Sequence, residues 1–137
     1  MKALVSCLIL LGFGASLMAD SPSTANSNSL IVAETASSEN FIARGTEPFW
    51  SITISKQGIV YSTPDVKKQT FPYVTPLKAQ GRPADLVRVY RLRGRGNNIL
   101  IIKKVSVCSD GMSDKNYPYS AILIRDNMVL EGCAEQQ

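Results

Sequence analysis

From Phe41 to Ala134 the chain is a succession of short apolar segments, each bounded by turn-forming residues. None carries the 3.6-residue period of an amphipathic helix. The clearest segment is Phe49–Ser55. It places Trp50, Ile52 and Ile54 on one face and Ser51, Thr53 and Ser55 on the other, the period of two that a half-buried strand requires. Gln57-Gly58 then turns the chain, and residues 59–62 return as a hairpin partner. Residues 41–44 form a short strand before it, closed by Gly45. Residues 69–74 read as a weaker strand whose Pro72 suits an edge or a bulge. Residues 86–93, 99–108, 119–124 and 128–133 complete a set of about eight strands. Gln80-Gly-Arg-Pro83, Gly94-Arg-Gly-Asn-Asn98 and Asp126-Asn127 separate them. This repetition predicts an all-β domain, a small antiparallel up-and-down barrel of lipocalin-like or lysozyme-inhibitor-like architecture. Closure into a barrel also removes strand edges that otherwise invite aggregation.

The N-terminal end reads differently. Lys2 followed by an almost uncharged apolar run to Leu17, with Ala19 at the cleavage position, has the anatomy of an export signal over residues 1–19. The apolar run is too short to favour a membrane span. Leu4-Val-Ser-Cys7 resembles a lipoprotein box, but only three residues precede it, so lipid anchoring at Cys7 is not expected. Residues 20–40, rich in Ser, Thr, Asn and Ala, read as a flexible leader, and residues 41–137 as one β domain. A periplasmic or secreted location follows as an expectation.

Export changes the meaning of the cysteines. Without the signal, only Cys108 and Cys133 remain, and a pair in an exported domain reads as a disulfide. The chain also contains no histidine. That removes the commonest general base, the commonest zinc ligand and the usual partner of a serine or cysteine nucleophile. Ser106 near Lys103 and Lys104, and Ser51 and Ser55 near Lys56, offer Ser–Lys proximity without a recognisable motif, so an envelope hydrolase is the weakest reading. No catalytic residue, metal or cofactor is assigned.

Three motifs stand out: Gly45-Thr-Glu-Pro-Phe-Trp50, Cys108-Ser-Asp-Gly-Met-Ser-Asp-Lys-Asn-Tyr-Pro-Tyr119 and Gly132-Cys-Ala134. Together they resemble an exported bacterial family described as membrane proteins or lipoproteins. Its members occur alone or beside META (heat-shock HslJ-like) or lysozyme-inhibitor-like domains. The resemblance spans residues 41–134 and carries over no activity.

Read physically, Gly45 permits an unusual backbone angle and Pro48 fixes φ at the entry to the next strand. Trp50 reads as a core anchor. The functional alternative sets Phe49 and Trp50 at a barrel mouth that takes an apolar ligand or a partner loop, with Glu47 as a cap, an ion-pair partner or a site carboxylate. In the second motif, Asp110 and Asp114 flank Gly111. Two carboxylates fall short of the 6–8 oxygens of a calcium site, so Asx-type bonding to loop amides is the expected role. Tyr117 and Tyr119 are expected beside the disulfide, stiffening a loop suited to protein recognition.

The chain carries a formal charge of +4, concentrated between Arg82 and Lys104, where seven cationic residues face Asp85 alone. Arg88, Arg91, Arg93 and Arg95 mark a basic hairpin. It is either a solvated face or a surface for anionic envelope polymers, lipids or an acidic cleft. Nucleic acid is not expected for an exported protein. These features predict a non-enzymatic envelope protein that binds a macromolecule or surface component through rim loops, with inhibition of a lytic enzyme as a specific form. A small-ligand or metal-binding barrel is the alternative.

Overall fold

The computed structural model describes residues 39–137. The expected signal peptide, Cys7 and most of the leader lie outside the described residues.

The described chain is all β: β1 (Phe41–Thr46), β2 (Phe49–Ser55), β3 (Gly58–Ser62), β4 (Gln69–Phe71), β5 (Leu77–Lys78), β6 (Val87–Leu92), β7 (Asn98–Ser109), β8 (Asn116–Arg125) and β9 (Met128–Gln136). They form one antiparallel sheet in the order β4-β3-β2-β1-β9-β8-β7-β6-β5. Every strand pairs with its neighbour in sequence except β4 with β5, and β1 pairs with β9 from Phe41↔Gln136 to Arg44↔Cys133. This is up-and-down topology, with the ring of strands open at β4 and β5. The sheet is a curled half-barrel.

Side-chain contacts record the curl. The Arg125 guanidinium of β8 lies 4.3 Å from the Tyr61 ring centroid of β3, and its Nη2 donates to Gln69 Oε1 of β4 at 2.8 Å. Its Nε donates to Asn98 Oδ1 of β7 at 3.3 Å. One long cation therefore links strands that are far apart in the sheet order.

Period-two alternation fills the concave face. Phe41 and Ala43 of β1, Trp50, Ile52 and Ile54 of β2, Ile59 and Tyr61 of β3, Tyr90 and Leu92 of β6, Leu100 and Ile102 of β7, and Tyr119, Ala121 and Leu123 of β8 are all buried there. Burying a large aliphatic or aromatic side chain stabilises by about 1.5–3 kcal/mol, so this face is the core.

Nine strands replace the expected eight. The addition is β5, whose two residues lie just after Pro76 and are too short to show a periodicity. The predicted strand over residues 69–74 stops at Phe71, because Pro72 offers no amide to the ladder. Tyr73 and Val74 beyond it still pack against the core. Among the described residues, no helix is long and apolar enough to cross a membrane.

Candidate functional site

The three sequence motifs meet at one end of the half-barrel. The Gly45–Trp50 motif forms the β1–β2 turn, the Cys108–Tyr119 motif forms the β7–β8 loop, and the Gly132–Ala134 motif lies on β9, the strand beside β1. Between them is a cleft of about 470 Å³, lined by Arg44 to Glu47, Cys108 to Met112, and Glu131 to Cys133, so that Arg44 and Glu131 join it from just outside the first and third motifs.

Its base is built by close backbone approach. The Trp50 indole is buried and crosses Gly45 to donate to the Glu131 carbonyl at 3.3 Å. A Cβ on Gly45 would stand 1.9 Å from Trp50 Nε1, and one on Gly132 would stand 2.0 Å from the Arg44 carbonyl oxygen. Neither contact is possible for real atoms, so both positions hold the motif's glycines for space. Cys108 and Cys133 are joined as a disulfide across a sequence separation of 25 residues, which fastens the loop root to β9. Thr46 Oγ1 donates to the Asp110 carbonyl at 3.1 Å, joining the β1–β2 turn to the same loop.

Asp110 organises the loop from within. Its carboxylate accepts from the Met112 amide at 3.0 Å, the Ser113 amide at 2.9 Å, the Ser113 hydroxyl and the Tyr117 hydroxyl at 3.2 Å. Those bonds, the Ser113 amide first, pull its pKa down to about 2. This is the Asx-type arrangement expected of it. Gly111 has φ near +70°, a backbone state that other residues adopt only with strain. Among the described residues, no group of three or more His, Cys, Asp and Glu side chains is arranged to hold a metal ion.

On the outer side of the cleft, Glu135 accepts from Lys115 Nζ at 2.7 Å and Arg44 Nη1 at 3.2 Å. Its carboxyl is held below the usual range by Lys115 and then Arg44. Arg44 is thus neutralised at one wall. Glu47 and Glu131 form no ion pair among the described residues, which leaves the cleft with an excess of negative charge. Two large apolar side chains stand in solvent at its edges: Phe49 is 54% exposed and Met112 67%. Phe49 lies opposite Thr46 in the ladder, next to the cleft wall.

The expected site residues thus divide. Gly45, Glu47, Asp110 and Gly111 line the cleft, and Phe49 flanks it. Trp50 is core, so the aromatic pair does not share a mouth. Tyr117 is buried and bonded to Asp110, with Lys115 Nζ 4.8 Å from its ring centroid. Tyr119, expected both to open a strand and to pack beside the disulfide, lies on β8 as a strand residue. It lies in the core, edge-on to Phe41 at 5.2 Å between centroids. Asp114 is exposed at the loop tip and does not line the cleft.

The basic hairpin divides too. Arg91, Arg93 and Arg95 are exposed, but Arg88 is only 3% exposed and points into the core. The β6–β7 tip is fixed by its neighbours. Asp126 Oδ1 accepts from the Asn97 amide at 2.9 Å, the Asp126 amide donates to the Asn97 carbonyl at 2.8 Å, and Asn98 Nδ2 donates to the Arg95 carbonyl at 2.9 Å. The Ser–Lys pairs do not converge on a nucleophile. Ser51 shares a hydrogen bond with Ser62 at 2.8 Å, Ser55 donates to the Gly58 carbonyl at 3.2 Å, and Lys104 is bound to Asp85 at 2.6 Å. Sequence reasoning missed Arg44 and Glu131, which flank the motifs and reach the cleft through the β1–β9 pairing, and Met112, which lies within the second motif but is not singled out there.

Compared with known proteins, the chain matches no family model, no curated protein and no solved structure.

Proposed function

We propose that this protein is a non-enzymatic, exported binding module of the bacterial envelope, periplasmic or secreted, that holds a protein partner at the rim cleft. The supporting observation is the convergence of three motifs, distant in sequence, on one cleft whose base is glycine and disulfide and whose edges are exposed Phe49 and Met112. Exposed aromatic and methionine side chains beside a rigid concavity suit an interface, where such residues are enriched. The carboxylates of Glu47 and Glu131 favour a partner segment that presents a lysine or arginine flanked by apolar residues. The histidine-free composition and the absence of a nucleophile–base pair in the cleft support binding over turnover.

The test is capture from envelope extract on the immobilised domain. A partner retained by wild-type protein and by Arg93→Ala/Arg95→Ala, but lost with Phe49→Ala/Met112→Ala, supports the cleft. Both changed side chains in the second variant are solvent-exposed, so folding is not the issue. Equal retention by that variant rejects the proposal.

A second reading rests on the exposed, pinned arginine tip of Arg91, Arg93 and Arg95. Such a tip suits entry into the acidic cleft of a lytic glycosidase, which works through paired carboxylates. Unchanged lysozyme activity in the presence of the protein, at low as well as high salt, rejects it.

A further inference from the structure

A second polar constellation lies away from the rim cleft, on the concave side of β5 and β6. Lys78 and Arg88 are cross-strand partners in the β5–β6 ladder, so their side chains share a face. Tyr90 follows Arg88 by two residues on the same face. Arg88 is 3% exposed and Tyr90 fully buried. Arg88 Nη1 donates to the Asp85 carbonyl at 2.8 Å, and the guanidinium packs 4.8 Å from the Phe41 ring centroid and 5.8 Å from that of Tyr119. Its Nε and the Tyr90 hydroxyl have no hydrogen-bond partner.

Among the described residues Arg88 forms no ion pair, which is unusual for a permanently charged group out of water. The charge count around it explains the deficit. Lys78, Arg88 and Lys104 meet only Glu39 and Asp85, and Asp85 is bound to Lys104. One positive charge is left over.

Glu39 meets the Lys78 end of the group and leaves Arg88 uncompensated. It lies just before β1 and enters this group with its carboxylate. Oε2 accepts a short hydrogen bond from the Tyr73 hydroxyl, and Oε1 lies 3.9 Å from Lys78 Nζ. Burial, and then the bond to Glu39, push the Tyr73 phenol up to about 12, and burial pushes Tyr90 up as well, so both remain protonated donors at neutral pH. The Glu39 and Lys78 side chains are each about one-third exposed, at 33% and 31%, so the group opens to solvent at their end while Arg88 and Tyr90 close the back.

We infer that Tyr73, Lys78, Arg88 and Tyr90 form a carboxylate-binding site, that Glu39 of the same chain occupies its outer, Tyr73–Lys78 end, and that a free monocarboxylate enters and reaches the unpaired Arg88 and Tyr90 donors when Glu39 is withdrawn. The outer pair, Tyr73 and Lys78, already holds a carboxylate, and the buried Arg88 Nε and Tyr90 hydroxyl behind it are donors without an acceptor, a set that suits a planar, singly charged, two-oxygen acceptor. The concave face behind the site is filled with core side chains, so the site takes the head group of a ligand and not an elongated tail. A tethered occupant competes at an effective concentration in the millimolar range, which masks weak free ligands in the wild-type protein.

The experiment is an acetate titration of purified wild-type protein, Glu39→Gln and Glu39→Gln/Lys78→Met, followed through the Arg88 Nε–H resonance by NMR. Chloride at matched ionic strength is the control. Lys78 is partly exposed, so its replacement tests the site without removing the buried arginine. The expected result is saturable binding to Glu39→Gln, roughly ten-fold or more tighter than to wild type, and lost in the double variant. No saturable shift in Glu39→Gln, equal affinity in wild type and Glu39→Gln, or an equal response to chloride each overturns the inference.

Discussion

Replacing Cys108 and Cys133 together by alanine tests whether the rim is held by its cross-link. The bond closes a sequence separation of 25 residues. In the chain-entropy treatment, a loop of that length removes about 12 cal/mol/K from the unfolded ensemble, or about 3.5 kcal/mol at 25 °C. That is a quarter or more of the roughly 5–15 kcal/mol total of an ordinary domain. The closed segment contains the β8–β9 hairpin, whose ladder runs from Tyr119↔Ala134 to Arg125↔Met128. Residual pairing of this hairpin in the unfolded chain would reduce the effect, so about 2–3.5 kcal/mol is expected. For a domain of this size each kcal/mol shifts the midpoint by about 4–8 °C, so Tm should fall by roughly 8–28 °C. Urea unfolding of the oxidised and alanine proteins, compared at matched m-values, measures the difference. A loss below about 1 kcal/mol would mean that the cross-link adds little to a hairpin already formed in the unfolded chain, and the rim would not be held by it.

Two further outcomes follow from the cleft's construction. Gly132→Ala places a methyl group against the Arg44 carbonyl, which belongs to the backbone and cannot rotate away, so β9 must separate from β1. The expected cost is about 1–3 kcal/mol by denaturant unfolding, and a neutral result would mean the strands have slack there. Asp110 has a folded pKa of about 2, below its value in an unfolded chain. A depressed carboxylate contributes stability that is present above the unfolded pKa of about 4 and lost as pH falls through the folded value. Protection of the Met112 and Ser113 amides, taken relative to the intrinsic exchange rate at each pH, should therefore fall between about pH 4 and pH 2, and Asp110→Asn should show lower protection already at neutral pH. A flat profile in the wild-type protein contradicts the role given to Asp110.

The sequence made some of this fold legible and concealed the rest for physical reasons. The strict alternation of Trp50, Ile52 and Ile54 with serine and threonine admits one inward face, and β2 takes it. In β6 the two faces read Val87, Val89, Arg91 and Arg88, Tyr90, Leu92. Hydropathy does not separate them well, and a face carrying arginine looks like an outer one. The structure buries the second set, because the Arg88 guanidinium packs against the Phe41–Tyr119 ring pair. That contact depends on strands far apart in sequence.

The cleft was legible as motifs but not as a place. Gly45, Asp110 and Gly132 are special in sequence because of turns and close approach. Only the pairing of β1 with β9 and the disulfide bring them together. Closure of the barrel was expected as a way to remove edges. The open seam at β4 and β5 is managed instead by very short edge strands and by Pro72 and Pro76 between them, which withhold backbone donors.

If the three motifs form one binding face, a bound partner must cover all of them. The most direct measurement is the footprint of a captured partner on the isotopically labelled domain, read from amide chemical-shift changes and slowed exchange. The footprint is expected at Thr46, Glu47, Phe49, Ser109 to Met112 and Glu131, with Arg91, Arg93 and Arg95 unaffected. A footprint centred on those arginines, or on the outer face of β7 and β8, would contradict it.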